Sequence, residues 1–175
     1  MTKFLPAVVA AQLCLAAIAI GGGQKPKPAA PPPAPEVKKL HFFVGLTTTQ
    51  GVMTVGTTQV PFTATGRAKW MPGGRFVEHQ SEYSSASGKG TLMEVMGWDD
   101  KKKVYTHNSY SGGVHVVSTG TLEGDTWTWT SVDGRSRHTI TMTSPTTSAF
   151  KAAITEDGKT WVTLSEGTRT TRPSP

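Results

Sequence analysis

From Gly45 onward the chain alternates polar and apolar residues in short runs, and turn signals recur about every ten to twelve residues. The turns are Met71-Pro72-Gly73-Gly74, Ser87-Gly88-Lys89-Gly90, Asp99-Asp100-Lys101, Ser111-Gly112-Gly113, Glu123-Gly124-Asp125, Asp133-Gly134 and Asp157-Gly158. Asp-Gly and Gly-Gly supply the positive φ angles that tight hairpins demand, so successive strands should pair antiparallel. Between the turns about ten strands are predicted, over 46–55, 59–70, 75–85, 91–98, 103–110, 114–122, 126–132, 135–143, 147–155 and 160–170. The clearest alternation sets Val60, Phe62, Ala64, Ala68 and Trp70 against Thr63, Thr65, Arg67 and Lys69, with one face inward and the other in water.

Strands joined by tight turns leave no room for crossover helices, and closing the sheet removes edges that would invite aggregation. The predicted fold is therefore all-β, an antiparallel up-and-down β-barrel of about ten strands, with a sandwich as the alternative. Barrels of this size can hold a small ligand or fill with side chains. Ahead of the first strand, the stretch from Pro35 to Phe43 predicts a short N-terminal helical turn, with Pro35 and Glu36 at its start, that plugs or covers one end of the barrel.

The N-terminal region reads differently. Met1 to Lys3 is a short cationic segment, and Phe4 to Ile20 is apolar apart from Pro6 and Gln12. This is the pattern of a signal peptide, with Ala17 and Ala19 supplying the small residues of a cleavage site. The alternative is an uncleaved membrane anchor formed by the same apolar run. The segments are thus a leader at 1–19, a Pro/Ala/Lys-rich linker at 20–35 favouring extended polyproline II, and the barrel domain at 36–172. The expected location is exported, periplasmic or secreted, with membrane contact only through the leader if it stays uncut.

Charge and cysteine usage narrow the chemistry. The formal net charge of +6 falls to about +3 once Lys3, Lys25 and Lys27 are set aside, so the domain is nearly balanced. The one basic run, Lys101 to Lys103, follows Asp99 and Asp100 in a turn and reads as a solvated loop; nucleic acid is not an expected partner. The single cysteine, Cys14, lies in the leader, which excludes disulfides, cysteine-ligated zinc and a cysteine nucleophile from the domain. Nothing in the sequence fixes an oligomeric state.

Three stretches, taken in order, resemble the bacterial domain of unknown function family numbered 1579. They are Lys39-Leu40-His41-Phe42-Phe43-Val44-Gly45, then Lys69-Trp70-Met71-Pro72-Gly73-Gly74-Arg75-Phe76, then Gly97-Trp98-Asp99-Asp100-Lys101-Lys102-Lys103-Val104-Tyr105. The resemblance runs from about residue 36 to residue 172. It implies a calycin-like barrel with a central cavity, related in shape to lipocalins, fatty-acid-binding proteins and nitrobindin. Where that family usually carries Trp two residues after the opening Gly this chain has Thr47, so a different packing of the barrel floor is expected. Nitrobindin-type haem binding needs an inward His near the last strand, whereas the last His here is His138, so no cofactor is expected.

Among candidate site residues, Glu94 alternates with Leu92, Met96 and Trp98 on an otherwise apolar strand. A carboxylate in an apolar wall must meet a cation or act as a proton donor to a ligand; the commoner arrangement is a carboxylate at the rim, wet or paired with Arg or Lys. Trp127 and Trp129 share a face and suit either a flat or lipidic ligand or simple core packing. Glu94, Trp98, Trp127 and Trp129 are therefore the expected lining of a ligand pocket. His79, His107, His115 and His138 lie on separate strands without metal-ligand spacing, which favours isolated histidines over a site assembled across strands; no metal is expected. Arg137 and His138 on one strand, with Glu78 and Glu82 on another, are a further candidate polar pocket.

No catalytic residue is indicated: Gly-x-Ser-x-Gly is absent, and Gly88-Lys89 lacks the preceding glycine of a P-loop. The leading expectation is an exported barrel that binds a small apolar or amphipathic ligand. The second is a non-enzymatic envelope scaffold or interaction module with a packed interior. An enzyme is the least supported reading.

Overall fold

The computed structural model describes residues 32–174; the leader at 1–19 and the linker through residue 31 lie outside the described residues. Pro35–Lys39 forms α1, followed by a 3-10 turn at Leu40–Phe43. Ten strands follow: β1 (Gly45–Val55), β2 (Thr58–Trp70), β3 (Val77–Ser85), β4 (Gly88–Asp99), β5 (Val104–Ser111), β6 (Val114–Glu123), β7 (Thr126–Ser131), β8 (Ser136–Ser144), β9 (Thr147–Ile154) and β10 (Val162–Arg172). Each pairs antiparallel with its chain neighbours, and β1 also pairs with β10 from Leu46↔Arg172 to Met53↔Ser165. The sheet is a closed up-and-down barrel, which decides between barrel and sandwich. Among the described residues no helix is long and apolar enough to cross a membrane.

The predicted strands differ from the observed ones by three residues or fewer at any end, and the differences have local causes. The turn placed at 87–90 is tighter: Ser85 pairs with Gly88, leaving a two-residue loop, and β4 begins at once. Lys103 adopts a left-handed φ of 55° that closes the preceding turn, so β5 starts at Val104. That turn is held by the Asp99 carboxylate, which accepts from the backbone N–H groups of Lys101 and Lys102 at 2.9 and 3.0 Å. The Lys101 to Lys103 run is exposed, as a solvated loop should be. Gly112 and Gly113, at φ 56° and 80°, make the β5–β6 reversal in a conformation few side chains tolerate.

Period-two alternation divides the lumen into two regions. Near one end the inward positions Ala68, Val77, Met96, Tyr105, Trp127 and Ile140 are buried, and Leu40 and Phe43 of the N-terminal turn pack into the same cluster. Phe43 meets Trp127 at 5.0 Å between ring centroids, and Tyr105 meets Trp127 edge-on at 4.7 Å. The Tyr105 hydroxyl donates to the Glu36 carbonyl at 3.2 Å, tying α1 to the wall. The N-terminal turn is therefore a stopper that forms the barrel floor, as Pro35 at the start and Lys38 and Lys39 at the end of α1 suit it to be.

Toward the other end small, half-buried inward positions, among them Ala64, Ser81, Ser109, Ser136, Ala152, Ser165 and Gly167, alternate with the larger Phe62, Tyr83, Leu92, Val116 and Phe150. An inward residue that stays accessible lines space rather than core. The lumen is thus packed tightly at the floor and less tightly above it.

Truncating the stopper tests its place in the core. Phe43→Ala should lower the free energy of unfolding by about 3–5 kcal/mol, read by urea denaturation with tryptophan fluorescence. A loss below about 1 kcal/mol would show the turn to be a loosely attached cover.

Candidate functional site

Directly above the floor, inward positions carry polar groups. His79 on β3 and Glu94 on β4 are cross-strand partners, and His107 on β5 sits opposite Met96, one inward step along from Glu94. This register brings both imidazoles to one carboxylate. His79 Nδ1 lies 2.7 Å from Glu94 Oε2, and His107 Nε2 lies 2.9 Å from Glu94 Oε1. An ionised carboxylate only accepts, so Nδ1 of His79 and Nε2 of His107 carry the protons. On its far side His79 Nε2 is 3.1 Å from the Thr47 hydroxyl, which donates to it while the ring is neutral.

Glycine makes this reach across β2 feasible. A Cβ at Gly66 would stand 2.8 Å from His79 Nε2, so the ring passes over a position that must have no side chain. Gly120 does the same for the indole of Trp129, which a Cβ there would strike. Trp129 in turn packs on the His107 ring at 5.0 Å and stacks on Trp127 at 5.7 Å and 10°. Aromatic rings resting on bare backbone fix the two histidines and limit their alternatives.

The electrostatics follow from burial. Burial pushes the Glu94 carboxyl up, but the hydrogen bonds and charge of His107 and His79 outweigh it and hold Glu94 well below the usual carboxylate range. Across the lumen, burial pushes the His138 imidazole down to about 4, with His107 and Arg169 adding repulsion and Glu94 opposing it. His138 is therefore neutral at physiological pH. The Arg169 guanidinium on β10 is lowered by burial, an effect Glu94 opposes, and it stays charged as arginine does. Its Nε and Nη2 are buried without a hydrogen-bond partner, and its Cζ lies 5.8 Å from the centroid of the Phe43 ring. The layer thus holds one carboxylate and one guanidinium on nearly opposite walls.

The four expected lining residues are not all in one place. Glu94, 8% exposed, is inside the barrel and paired with histidines rather than standing at the rim. Trp129 shares its layer. Trp127, fully buried, belongs to the floor. Trp98 is half-buried against Tyr105, and its indole N–H donates to Asp100 at 3.0 Å.

Two of the histidines expected to be isolated, His79 and His107, are joined across strands through Glu94. His115 is outside, stacked on Tyr110 and bonded to Asn108. The pocket of Arg137, His138, Glu78 and Glu82 does not form. Arg137 points outward over Trp161, Glu82 is exposed on β3 at the other side of the barrel, and Glu78 bonds Gln80. Among the described residues no three His, Cys, Asp or Glu side chains are arranged to hold a metal ion. Thr47, noted in the sequence only as a change in the barrel floor, is a partner of His79, and Arg169 was not singled out at all; only the strand phase could have flagged their place in the site.

Ten antiparallel strands closed around this layer give the chain an up-and-down β-barrel fold. It is similar in fold to Rv2717c from M. tuberculosis, with a TM-score of 0.59 and 10% identity over 81% of this chain and 99% of that one. It is also similar to the S-type phycobiliprotein lyase CPES from Guillardia theta, with a TM-score of 0.56 and 14% identity over 79% and 93% of the two chains. No family model and no curated protein matches the chain, so the barrel class stands and the likeness to family 1579 goes no further than that class.

His138 ties stability to pH. The unfolded ring takes up its proton near pH 6.5 and the folded one only near 4, so the unfolded state binds more protons between these values and stability falls as pH falls. The full loss is about 3 kcal/mol. Urea unfolding from pH 7 to 4 should show it, and His138→Gln should lose about that much less over the same window. Parallel curves for the two proteins would mean that the ring is not held neutral in the fold.

Proposed function

We propose that this chain is an exported barrel protein that binds a small apolar or amphipathic ligand in its lumen. The carrying observation is the change along the strands from buried to accessible inward side chains. Above the floor, Ala64, Ser81, Ser109, Ala152 and Gly167 are small and stay half-buried, which favours unfilled space between the larger inward side chains. Phe62 and Phe150 lean together there at 6.2 Å, and each apolar Å² that a ligand covers contributes about 25 cal/mol. Glu94 and Trp129 lie at the base of this space, while Trp98 and Trp127 support it from the floor. The phycobiliprotein lyase lends the reading fold-level support by analogy.

A neutral fluorophore, N-phenyl-1-naphthylamine, tests the lumen. It should bind saturably at one site per chain, and the lumen-filling pair Ala64→Trp and Ser81→Trp should abolish binding while thermal unfolding stays cooperative. Unsaturable fluorescence that the filled variant shares would refute lumen binding. Export is tested separately: expressed with its leader, the protein should gain a new N-terminus after Ala19, and an intact Met1 would refute cleavage.

A second reading, an interaction module, is favoured by one feature. The outer wall of β2–β6 carries a groove of about 930 Å³ edged by Arg67, Glu82, Met93, Tyr110, Val114 and His115. Its exposed edge would meet a partner without needing a closed cavity.

A further inference from the structure

We infer that the lumen's ligand is an amphipathic monocarboxylate whose head group docks on the Nε–Nη2 edge of Arg169. This deepens the lumen-binding reading and rests on it. These two nitrogens form the side of a guanidinium that offers two parallel N–H groups, the arrangement that matches both oxygens of a planar carboxylate. Both are buried and neither has a partner. A cation with two buried, idle donors carries a standing desolvation cost that an anion in the lumen removes.

The protein's own groups do not fill this edge. Glu94, the inward carboxylate, has both oxygens committed to His79 and His107, and among the described residues no ion pair joins a carboxylate to Arg169. The register neighbours of Arg169, Thr49 and Ser148, are neutral, and Phe43 beneath it offers only a ring face. His138 is uncharged at physiological pH. The other cations on the strands, Arg67, Lys69, Lys89, Arg137, Lys151 and Arg172, are exposed on the outer wall. One guanidinium balances one negative charge, which suits a monocarboxylate better than a multiply charged phosphate.

The surroundings decide the remainder of the ligand. Phe150 pairs with Gly167 and Phe62 with Gly51, so both rings project one inward step nearer the open end than Arg169. Half-buried Leu92 and Val116 continue the apolar lining. A head group at Arg169 therefore puts its chain among the phenylalanines and toward the mouth.

Displacement of N-phenyl-1-naphthylamine by decanoate and by decanol, at neutral pH, tests this. The wild type should bind decanoate at least about tenfold more tightly than decanol, the increment expected of charge-assisted hydrogen bonds. Arg169→Met should erase the preference, bringing the ratio of decanoate to decanol affinity to about one. Arg169→Lys keeps the charge but not the two-pronged edge, and should keep only a few-fold preference. It serves if the methionine variant does not fold. Equal binding of acid and alcohol by the wild type, or a full preference retained without the guanidinium, would overturn the assignment while the lumen reading stands. Failure of the fluorophore itself to bind would remove both.

Discussion

The ladder between β1 and β10 is the constraint on which the architecture rests. Without it the first and last strands would each present a row of unpaired backbone groups, and ten strands would form a strongly twisted open sheet. With it every strand has two neighbours, one face of the sheet becomes an interior, and alternation along each strand acquires a meaning that a flat sheet would not give it. The floor depends on the same closure, because Leu40 and Phe43 are buried only where the inward side chains of several strands converge on them.

Closure also explains how a carboxylate can sit in the interior. Glu94 is desolvated, yet two neighbouring strands deliver imidazole donors to its two oxygens at hydrogen-bonding distance. The layer sets this carboxylate against Arg169 on the facing wall, with His138 uncharged. Locally it is unbalanced, since the carboxylate is fully satisfied and the guanidinium is not. This asymmetry, more than the presence of charge, gives the lumen its chemical direction.

Much of the fold was legible because turn chemistry is local. Asp-Gly and Gly-Gly reversals marked four of the nine strand connections, and Trp127 and Trp129 declared their shared face by spacing alone. The site was harder to read because it is a product of register. Glu94 meets a histidine fifteen residues before it and another thirteen residues after it, and nothing in the spacing of those residues predicts which will stand opposite. The rim position expected of Glu94 put it in water or beside an Arg or Lys, whereas its partners are rings that reach it over or beside small residues such as Gly66. Arg169 was missed because Thr and Ser occupy both faces of its strand, so that strand's phase cannot be read from hydropathy.

The stopper at Leu40–Phe43 has a kinetic corollary. A tube blocked at one end is a well, and whatever enters it leaves by the same mouth. Such a vessel can sequester or hand over its cargo but cannot pass a stream through, and a newcomer has no route behind an occupant to push it out. Release is then governed by how readily the mouth and the occupant loosen, a rate that a partner stationed at that mouth would be in a position to control.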